Sequence, residues 1–450
     1  MSHMTLQEVV HLCGGKQLEG GGKIAVSHVT FDSRLVERGS LFFALKGEKV
    51  DGHDFLSEVY LRGGVGAVVE SSYRGPDYGL PLISVDQVVE ALHRLAKWKQ
   101  QQRFSYVIGV TGTVGKSMVK EFIATLLEGD FSVAKTRGNM NSQVGLPIFL
   151  LNEVEDEEVT VLEMGMSLPG EIARLVKLAP PKMGILTHLS LVHGAHFNRI
   201  EEIFEEKCQL FRHQGMQMGC VHHSTLFHPC VSQLPCAKMS YGGNGEYRWM
   251  REGGQIYVME RGVKSPPFSL PFTASHLIDN FLGSVAVARY MGCHWSDLVH
   301  RAKGVHPPPH RFTRKEREGI IYIDDTYNAS PASMKAALSN LPSVIPSDRG
   351  GNRGDNKRIG VFGPMGELGD FSENSHIEIA QFALFYLDYL LCVGEECKPM
   401  VRCFQEKKPA ELFMSLDDLY QRLKQLAVPG DVILVKGSHV YSMWNIFRAC

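Results

Sequence analysis

The stretch YVIGV TGTVGKSM VKEFIATLLE, residues 106–128, decides the fold. An apolar run typical of a β-strand (106–110) enters a glycine loop, and a helix-forming segment (119–128) follows almost at once. A strand, a glycine loop and a helix in this order predict a phosphate-binding turn. Glycine lets backbone N–H groups curl around phosphate oxygens, and the new helix directs its positive end toward them. The loop consists of Thr111, Gly112, Thr113, Val114, Gly115, Lys116 and Ser117.

The loop carries the side chains that a nucleotide site requires. In phosphate loops the lysine neutralises the charge on the β- and γ-phosphates, and the hydroxyl next to it ligates Mg²⁺. The spacing departs from the standard motif because Val110 stands where glycine is usual, and the glycine lies at position 112. A tight strand-to-helix turn with an incidental Gly-Lys-Ser is the alternative. The flanking strand and helix favour nucleotide binding.

Apolar, β-branched runs alternate with amphipathic helical segments along the rest of the chain. The runs cover residues 106–110, 159–162, 183–186, 320–323, 359–362, 389–393 and 432–435. This alternation predicts an α/β fold with parallel sheets. Polar or glycine residues follow nearly every run, at the strand ends where ligands of parallel sheets collect. We therefore expect an active site between two domains.

The length of 450 residues suggests about three domains at roughly 150 residues each. A helical segment EALHRLAKWKQQQ follows a small mixed region, and a proline-rich joint GVHPPPH occupies residues 304–310. Successive prolines can neither continue a helix nor donate to a sheet ladder. We predict domains at 1–85, at 86–310 including the linking helix, and at 311–450.

Composition excludes several classes of protein. The 47 basic and 49 acidic residues give a formal charge of −2, so there is no basic excess to hold a nucleic acid. No apolar run is long enough for a membrane span, and no signal peptide is apparent, so we expect a cytoplasmic chain. The ten cysteines lack the C-x-x-C pairs of a zinc site, and free buried thiols are expected.

Three residues beyond the loop are candidates for metal chemistry. Glu163 ends a predicted strand, where a carboxylate can serve Mg²⁺, although a solvated loop acid is an equal alternative. His193 follows the next strand, and a lone histidine of this kind is more often structural. Lys207 lies on the same helical stripe as apolar residues, which is unusual for a lysine.

These residues and others resemble the ATP-dependent Mur ligases of peptidoglycan synthesis. The resembling segments are Asp32-Ser33-Arg34 with GSLFFALKGEKVDGHDF, TGTVGKS, Glu163 in E-x-G, TRGNMNSQVGLP (136–147), His276 and Asn280 in SHLIDN, and DDTYNASPASM (324–334). The last segment favours the branch of the family that adds D-alanyl-D-alanine to UDP-N-acetylmuramoyl-tripeptide. The Y-A-H-T-P and D-N-P-R motifs of the preceding, tripeptide-forming ligase are missing.

The resemblance covers nearly the whole chain and implies both fold and chemistry. It implies a small mixed α/β UDP-binding domain, a central phosphate-loop ATPase domain and a Rossmann-like carboxy-terminal domain that closes the site. A peptide carboxylate would attack the γ-phosphoryl group of ATP, and an amine would then attack the acyl phosphate. The substrates implied are ATP, UDP-N-acetylmuramoyl-tripeptide and D-alanyl-D-alanine, with Mg²⁺ as the metal. We expect the chain to be a monomer and to bind no nucleic acid.

The resemblance also assigns roles to individual residues. Catalysis would rest on Lys116, His193 and a carbamylated Lys207. The metal ligands would be Ser117, Glu163, His193 and Lys207. ATP would meet the loop 111–117 together with Asn280, Arg311, Asp325 and Tyr327. The UDP substrate would meet Asp32, Ser33 and Arg34, and the substrate cleft would contain Asn139, Asn141 and Asn328.

Some positions depart from the family pattern. Serine replaces threonine at Ser117 and asparagine at Ser142 and Ser330, while His188 replaces asparagine and Pro364 replaces aspartate. These changes leave open a nucleotide-binding scaffold without turnover, although retention of Lys116, Glu163 and Lys207 argues for an enzyme. The preceding Mur ligase is a second alternative. Folylpolyglutamate synthase is a third, opposed by the amino-terminal Asp-Ser-Arg segment.

Overall fold

The computed structural model describes residues 4–17, 21–47, 49–189, 197, 199–344 and 356–447. Three larger sheets follow one another along this part of the chain, each flanked by helices. This confirms the predicted α/β class with parallel sheets. The domain boundaries at 85 and 310 remain predictions.

The amino-terminal region is built on a sheet of mainly parallel strands. Its elements are β1 (Met4–Thr5), α1 (Leu6–Cys13), β2 (Lys16–Gln17), β3 (Ala25–Val26), β4 (His28–Thr30), β5 (Ser40–Phe43), α2 (Leu56–Leu61), β6 (Gly66–Glu70) and β7 (Leu82–Val85). The strand order is β2-β7-β6-β5-β4, with β2 antiparallel to β7 and the other neighbours parallel. Strands β1 and β3 form a separate short ladder.

The central region contains the largest sheet. Its elements are α3 (Val88–Gln101), β8 (Tyr106–Thr111), α4 (Lys116–Leu127), β9 (Val133–Lys135), α5 (Gly145–Asn152), β10 (Val159–Glu163), α6 (Glu171–Leu178), β11 (Met183–Leu186), α7 (Ile200–Cys208), β12 (Met218–His222), α8 (Pro229–Ser232), β13 (Ala237–Tyr241), β14 (Tyr247–Glu252), β15 (Gln255–Glu260), β16 (Val263–Lys264), α9 (Ser275–Tyr290) and α10 (Trp295–Arg301). The strand order is β16-β15-β14-β13-β12-β11-β8-β10-β9. The sheet is parallel from β9 to β14 and antiparallel beyond.

The carboxy-terminal region forms a third sheet. Its elements are β17 (Thr313–Arg317), β18 (Ile320–Asp325), α11 (Pro331–Ser339), β19 (Arg358–Phe362), α12 (Ser372–Ala383), β20 (Tyr389–Val393), α13 (Lys398–Gln405), β21 (Ala410–Phe413), α14 (Leu416–Leu426) and β22 (Val432–Lys436). The strand order is β17-β18-β22-β19-β20-β21, and only β17 within this sheet, as described, runs antiparallel to its neighbour.

All seven strands predicted from apolar runs are present as β8, β10, β11, β18, β19, β20 and β22. The antiparallel extension β14–β16 was not predicted. Its strands carry arginine and glutamate and are partly exposed, so they lack the apolar runs of buried parallel strands. Among the described helices, none combines the length and apolar character needed to cross a bilayer.

Helix α4 holds the phosphate loop on the central sheet. Phe122, Ile123 and Leu126 are fully buried, and the helix packs against both β10 and α9. Burial of one such side chain contributes roughly 1.5 to 3 kcal/mol. Because α4 is covered on two sides, the loop at its start is fixed relative to the sheet.

A side chain of the central region extends the edge of the amino-terminal sheet. Asn152, at the end of α5, accepts a hydrogen bond from Val29 N at 3.0 Å and donates to Val29 O at 2.8 Å. Val29 lies on β4, the edge strand. The asparagine amide therefore replaces the next strand at this position and connects the two regions.

Replacement of Asn152 by alanine removes both of these hydrogen bonds. We expect a loss of about 2 kcal/mol in the free energy of unfolding, at about 1 kcal/mol for each bond. Urea unfolding followed by tryptophan fluorescence measures this loss. Asn244→Ala, in an exposed turn, is the matched control and should leave stability unchanged. Equal stability of the Asn152→Ala and control proteins would contradict the bridging role.

Candidate functional site

A cleft of about 370 Å³ lies at the carboxyl ends of strands from two sheets. The end of β10 and the loop after β8 form one wall, and the segments after β18 and β22 form the other. The structure thus confirms that the polar strand ends of the central and carboxy-terminal regions face one shared cavity.

The phosphate loop is shaped by two glycines and braced by the neighbouring strand. Gly112 has φ +144°, and a Cβ atom there would lie 1.9 Å from Thr187 Oγ1. Gly115 has φ +91°, and a Cβ atom there would lie 2.5 Å from Asn280 Oδ1. Thr187 Oγ1 also donates to Val114 O at 2.7 Å. Only glycine fits at these two positions, so the loop conformation is fixed by packing as well as by sequence.

Lys116 lies at the start of α4 and folds over its own loop. Its Nζ donates to Gly112 O at 2.9 Å and to Thr113 O at 3.3 Å. Burial lowers the pKa of Lys116, and the charge of Arg311 lowers it further, while Glu163 opposes the shift. The lysine is therefore held inside the curve of the loop, where phosphate oxygens are expected.

The carboxylate of Glu163 has one oxygen that accepts a hydrogen bond and one that does not. Its Oε1 accepts a hydrogen bond from Asn141 Nδ2 at 2.8 Å. Its Oε2 is buried and has no hydrogen-bond donor among the residues that the structure describes. The Nζ of Lys120, a residue only 1% exposed, lies 3.8 Å from this oxygen. A buried carboxylate oxygen without a donor fits a site for a hard divalent cation.

Lys207 is buried on α7, with 1% of its surface exposed. Burial holds the pKa of Lys207 well below its usual range, with the charge of Lys116 acting in the same direction and Glu206 opposing. The carboxylate of the neighbouring Glu206 is hydrogen-bonded to the backbone: its oxygens accept from Gly170 N at 2.9 Å and from Ile172 N at 2.8 Å. His193 lies outside the described residues.

The carboxy-terminal region reaches the phosphate loop through Arg311. Its Nη2 donates to Ser117 Oγ at 3.0 Å, and its guanidinium lies 3.7 Å from the ring centroid of Tyr327. Tyr327 in turn follows Asp325, whose Oδ2 accepts from the buried Lys436 Nζ at 2.6 Å. A stacked arginine and a buried ion pair therefore fix this wall of the cleft.

Asp324, next to Asp325 in the chain, holds the same wall of the cleft in place through its buried carboxylate. It is fully buried, and its carboxylate accepts from Lys315 Nζ at 2.6 Å and from Thr326 Oγ1 at 2.7 Å. The ring of His310 is 2.9 Å away. Burial acts to raise the pKa of Asp324, but the bonds from Lys315 and Thr326 outweigh it and the pKa is lowered.

The cleft brings together most of the residues expected in the site. It is lined by Thr113, Val114, Gly115, Lys116, Ser117, Asn139, Asn141, Glu163, Arg311, Asp325, Tyr327 and Asn328. Thr111 and Gly112 belong to the loop but do not line the cleft. Thr111 Oγ1 donates to Met164 O at 2.9 Å and so holds the start of the loop in place. Lys207 does not form part of the cleft wall.

Asn280 lies behind the loop and does not line the cleft. Its Nδ2 is 3.6 Å from Met118 Sδ, and its amide packs against Gly115. The Asp-Ser-Arg segment is also away from the cleft. There Asp32 caps a helical turn and pairs with the exposed Arg34 at 2.7 Å, while Ser33 Oγ donates to Glu58 at 3.0 Å.

Three charged residues of the site were not among those predicted. Lys120 lies one helical turn after Lys116, a spacing that places both on one face of α4 and could have identified it. Glu367 lines the cleft, has φ +61° and acts on the pKa of Lys116. In the sequence, the glycine-rich segment GPMGELG is the feature that indicates a functional role for Glu367. Lys436 belongs to a Lys-Gly-Ser segment that follows a strand, a pattern that is also typical of a simple turn.

The chain matches known proteins along nearly its whole length. Residues 25–99 match the Mur ligase family catalytic domain, residues 110–288 the Mur ligase middle domain, and residues 310–439 the Mur ligase glutamate ligase domain. It is 30% identical to the UDP-N-acetylmuramoyl-tripeptide–D-alanyl-D-alanine ligase of Bacillus subtilis over 100% of this chain and 98% of that protein. The corresponding Escherichia coli ligase is 29% identical over 100% and 98%.

A solved structure is similar as well. The MurF ligase from Thermotoga maritima in complex with ADP superposes with a TM-score of 0.78 and is 28% identical, covering 94% of this chain and 96% of that one.

Replacement of Asp324 by asparagine tests how the cleft wall is stabilised. The folded-state pKa of Asp324 is lowered, so its contribution is present above its unfolded pKa of about 4 and is lost as the pH falls through the folded value. At pH 7 we expect Asp324→Asn to cost about 2 kcal/mol in the free energy of unfolding, with the difference narrowing below about pH 4. Urea unfolding across this pH range measures it. The exposed Asp370→Asn is the control, and a pH-independent difference would refute the interpretation.

Proposed function

The chain belongs to the Mur ligase family, and from this premise we propose that it joins D-alanyl-D-alanine to UDP-N-acetylmuramoyl-tripeptide in an ATP-dependent, ADP-forming reaction. The observation that carries the proposal is the cleft in which the phosphate loop and the 324–334 segment face each other, linked by the hydrogen bond from Arg311 to Ser117. That segment is the one whose sequence favours the dipeptide-adding branch.

The chemistry follows from the poor reactivity of a carboxylate. The carboxylate of the tripeptide attacks the γ-phosphoryl group of ATP, which gives an acyl phosphate and ADP. The amine of the dipeptide then attacks the carbonyl carbon, and the tetrahedral intermediate collapses with loss of phosphate. Most of what the protein contributes is positioning and neutralisation of charge around the phosphoryl group.

In this proposal the loop and the facing wall bind ATP. Lys116 and the backbone N–H groups of residues 111–117 hold the phosphates, and the Arg311 guanidinium approaches from the opposite side. Tyr327, already stacked under Arg311, lies near the adenine. Asn280 supports the loop through Gly115 and meets the adenine only if domain closure moves it toward the cleft.

Mg²⁺ is the proposed metal, since the donors available are the oxygens that it prefers. Glu163 Oε2, buried without a hydrogen-bond donor among the described residues, and the Ser117 hydroxyl would hold one ion. His193 and Lys207, as a carbamate, would serve a second. When bound, the metal neutralises negative charge on the β- and γ-phosphates.

Carbamylation of Lys207 is supported by its surroundings. Only a neutral amine reacts with CO₂, and burial lowers the pKa of Lys207 so that the neutral form becomes accessible. Reaction converts a cation into an anion beside Lys116. The change replaces repulsion between two lysines with attraction.

The UDP-linked end of the substrate is proposed to bind Asp32, Ser33 and Arg34, with its peptide passing Asn139, Asn141 and Asn328 in the cleft. The segment 1–85 would act as the UDP domain, 86–310 as the ATP domain and 311–450 as the domain that closes the site. We propose a monomer, placed in the cytoplasm because ATP and a nucleotide-linked precursor are both supplied there.

The proposed substrate makes a direct prediction about phosphate release. With ATP, Mg²⁺ and UDP-N-acetylmuramoyl-tripeptide, we expect release of inorganic phosphate only after D-alanyl-D-alanine is added, as measured by a continuous phosphate assay. The matched reaction replaces the tripeptide by the dipeptide precursor and offers meso-diaminopimelate or lysine as the amine. Release in that reaction alone would assign the chain to the preceding ligase. No release under any condition would favour a binding protein without turnover.

The carbamate predicts chemical rescue. Lys207→Ala should lower turnover by about 100-fold or more, because an anion near the transferred phosphoryl group is lost. Added short carboxylates such as acetate should restore part of this activity. Lys207→Arg keeps the positive charge and cannot be carbamylated, so it should be inactive and not rescued. Full activity of Lys207→Ala would remove the residue from the site.

A further inference from the structure

A pair of cysteines lies at the end of the helix that carries Lys207. Cys208 is the last residue of α7, and Cys230 lies on α8. Their Sγ atoms are 2.9 Å apart, and both residues are fully buried. His228 Nδ1 lies 3.0 Å from Cys230 Sγ. One thiol of the pair therefore contacts both an imidazole and a second thiol.

The arrangement has a defined direction. The Cys208 thiol donates to Cys230 Sγ, and the Cys230 thiol is in contact with the His228 imidazole. His228 is half-buried and contacts Cys230, whereas both cysteines are fully buried. The imidazole can therefore remove the Cys230 proton and exchange it with water.

We propose that Cys208 and Cys230 form a thiol–disulfide modification site that is closed by hydroperoxides. The Cys230 sulfur attacks one peroxide oxygen, its proton passes through His228 to the leaving oxygen, and the O–O bond breaks to give a sulfenic acid. The Cys208 sulfur then attacks this sulfur, and its proton leaves with the hydroxyl as water. With hydrogen peroxide, the two thiols are oxidised to one disulfide and the peroxide is reduced to two waters.

Closure of the disulfide acts on the neighbouring site. A disulfide bond is about 2.05 Å long, so the sulfurs move closer by about 0.9 Å. Cys208 directly follows Lys207 and Glu206, and Glu206 holds the start of α6 through Gly170 N and Ile172 N. A displacement of this size near a reacting group can cost up to about 100-fold in rate. The effect on turnover rests on the proposed role of Lys207, whereas formation of the disulfide does not.

The experiment treats the full-length enzyme with hydrogen peroxide and then follows two readouts. Mass spectrometry of a non-reduced digest should detect a Cys208–Cys230 disulfide. D-alanyl-D-alanine-dependent phosphate release should fall about tenfold and return after dithiothreitol. Cys230→Ser should keep the basal activity and resist peroxide, with Cys230→Ala as a second variant where serine impairs folding.

Cys220→Ser is the matched control. Cys220 is buried on β12, and no thiol or imidazole among the described residues is in hydrogen-bond contact with it. This variant should form the disulfide and lose activity like the parent chain. Absence of the 208–230 disulfide would overturn the site. A disulfide with unchanged turnover, or equal loss in Cys230→Ser, would overturn its action on Lys207. Failure of untreated enzyme to turn over would count against the proposed function alone, because the disulfide is detected independently.

Discussion

The contact between Gly112 and Thr187 is the constraint on which the site depends. Thr187 occupies the space that a side chain at position 112 would need, and its hydroxyl bonds to Val114 O at 2.7 Å. Two adjacent parallel strands, β8 and β11, thus fix one loop between them. Because α4 begins at that loop and is buried on two sides, the direction of the helix and the position of Lys116 follow from the same packing.

The site is rich in buried positive charge although the whole chain is nearly neutral. Lys116 starts α4 at the phosphate loop, Lys120 lies one helical turn further along, and the Glu163 carboxylate is 3.8 Å from Lys120 Nζ. Local loops and helix N-termini therefore provide the positive charge that a basic surface provides in a nucleic-acid-binding protein. A formal charge of −2 is compatible with tight binding of an anionic substrate for this reason.

The sequence predicted those parts of the fold that depend on local pattern. Strands such as β11 were found to the residue because all four of their positions are buried, which requires an unbroken apolar run. The β14–β15 hairpin was missed because its faces are partly exposed and its pattern is interrupted by charge. The proximity of Lys120 and Glu163 could not be predicted, since it arises from the parallel pairing of β8 with β10 and from the packing of α4 on that sheet.

The charge balance also bears on whether the site turns over. Burial and the charge of Lys116 both lower the pKa of Lys207, so keeping Lys207 as a cation costs free energy in the folded state. A protein that only bound nucleotide would gain from an apolar residue at position 207, because replacement of a buried charge by a packed side chain is often stabilising. The proposed carbamate, in which the neutral amine becomes an anion, would account for a lysine at this buried position. In that proposal the burial that destabilises the ammonium also makes the neutral amine available for reaction, which favours a ligase over a scaffold.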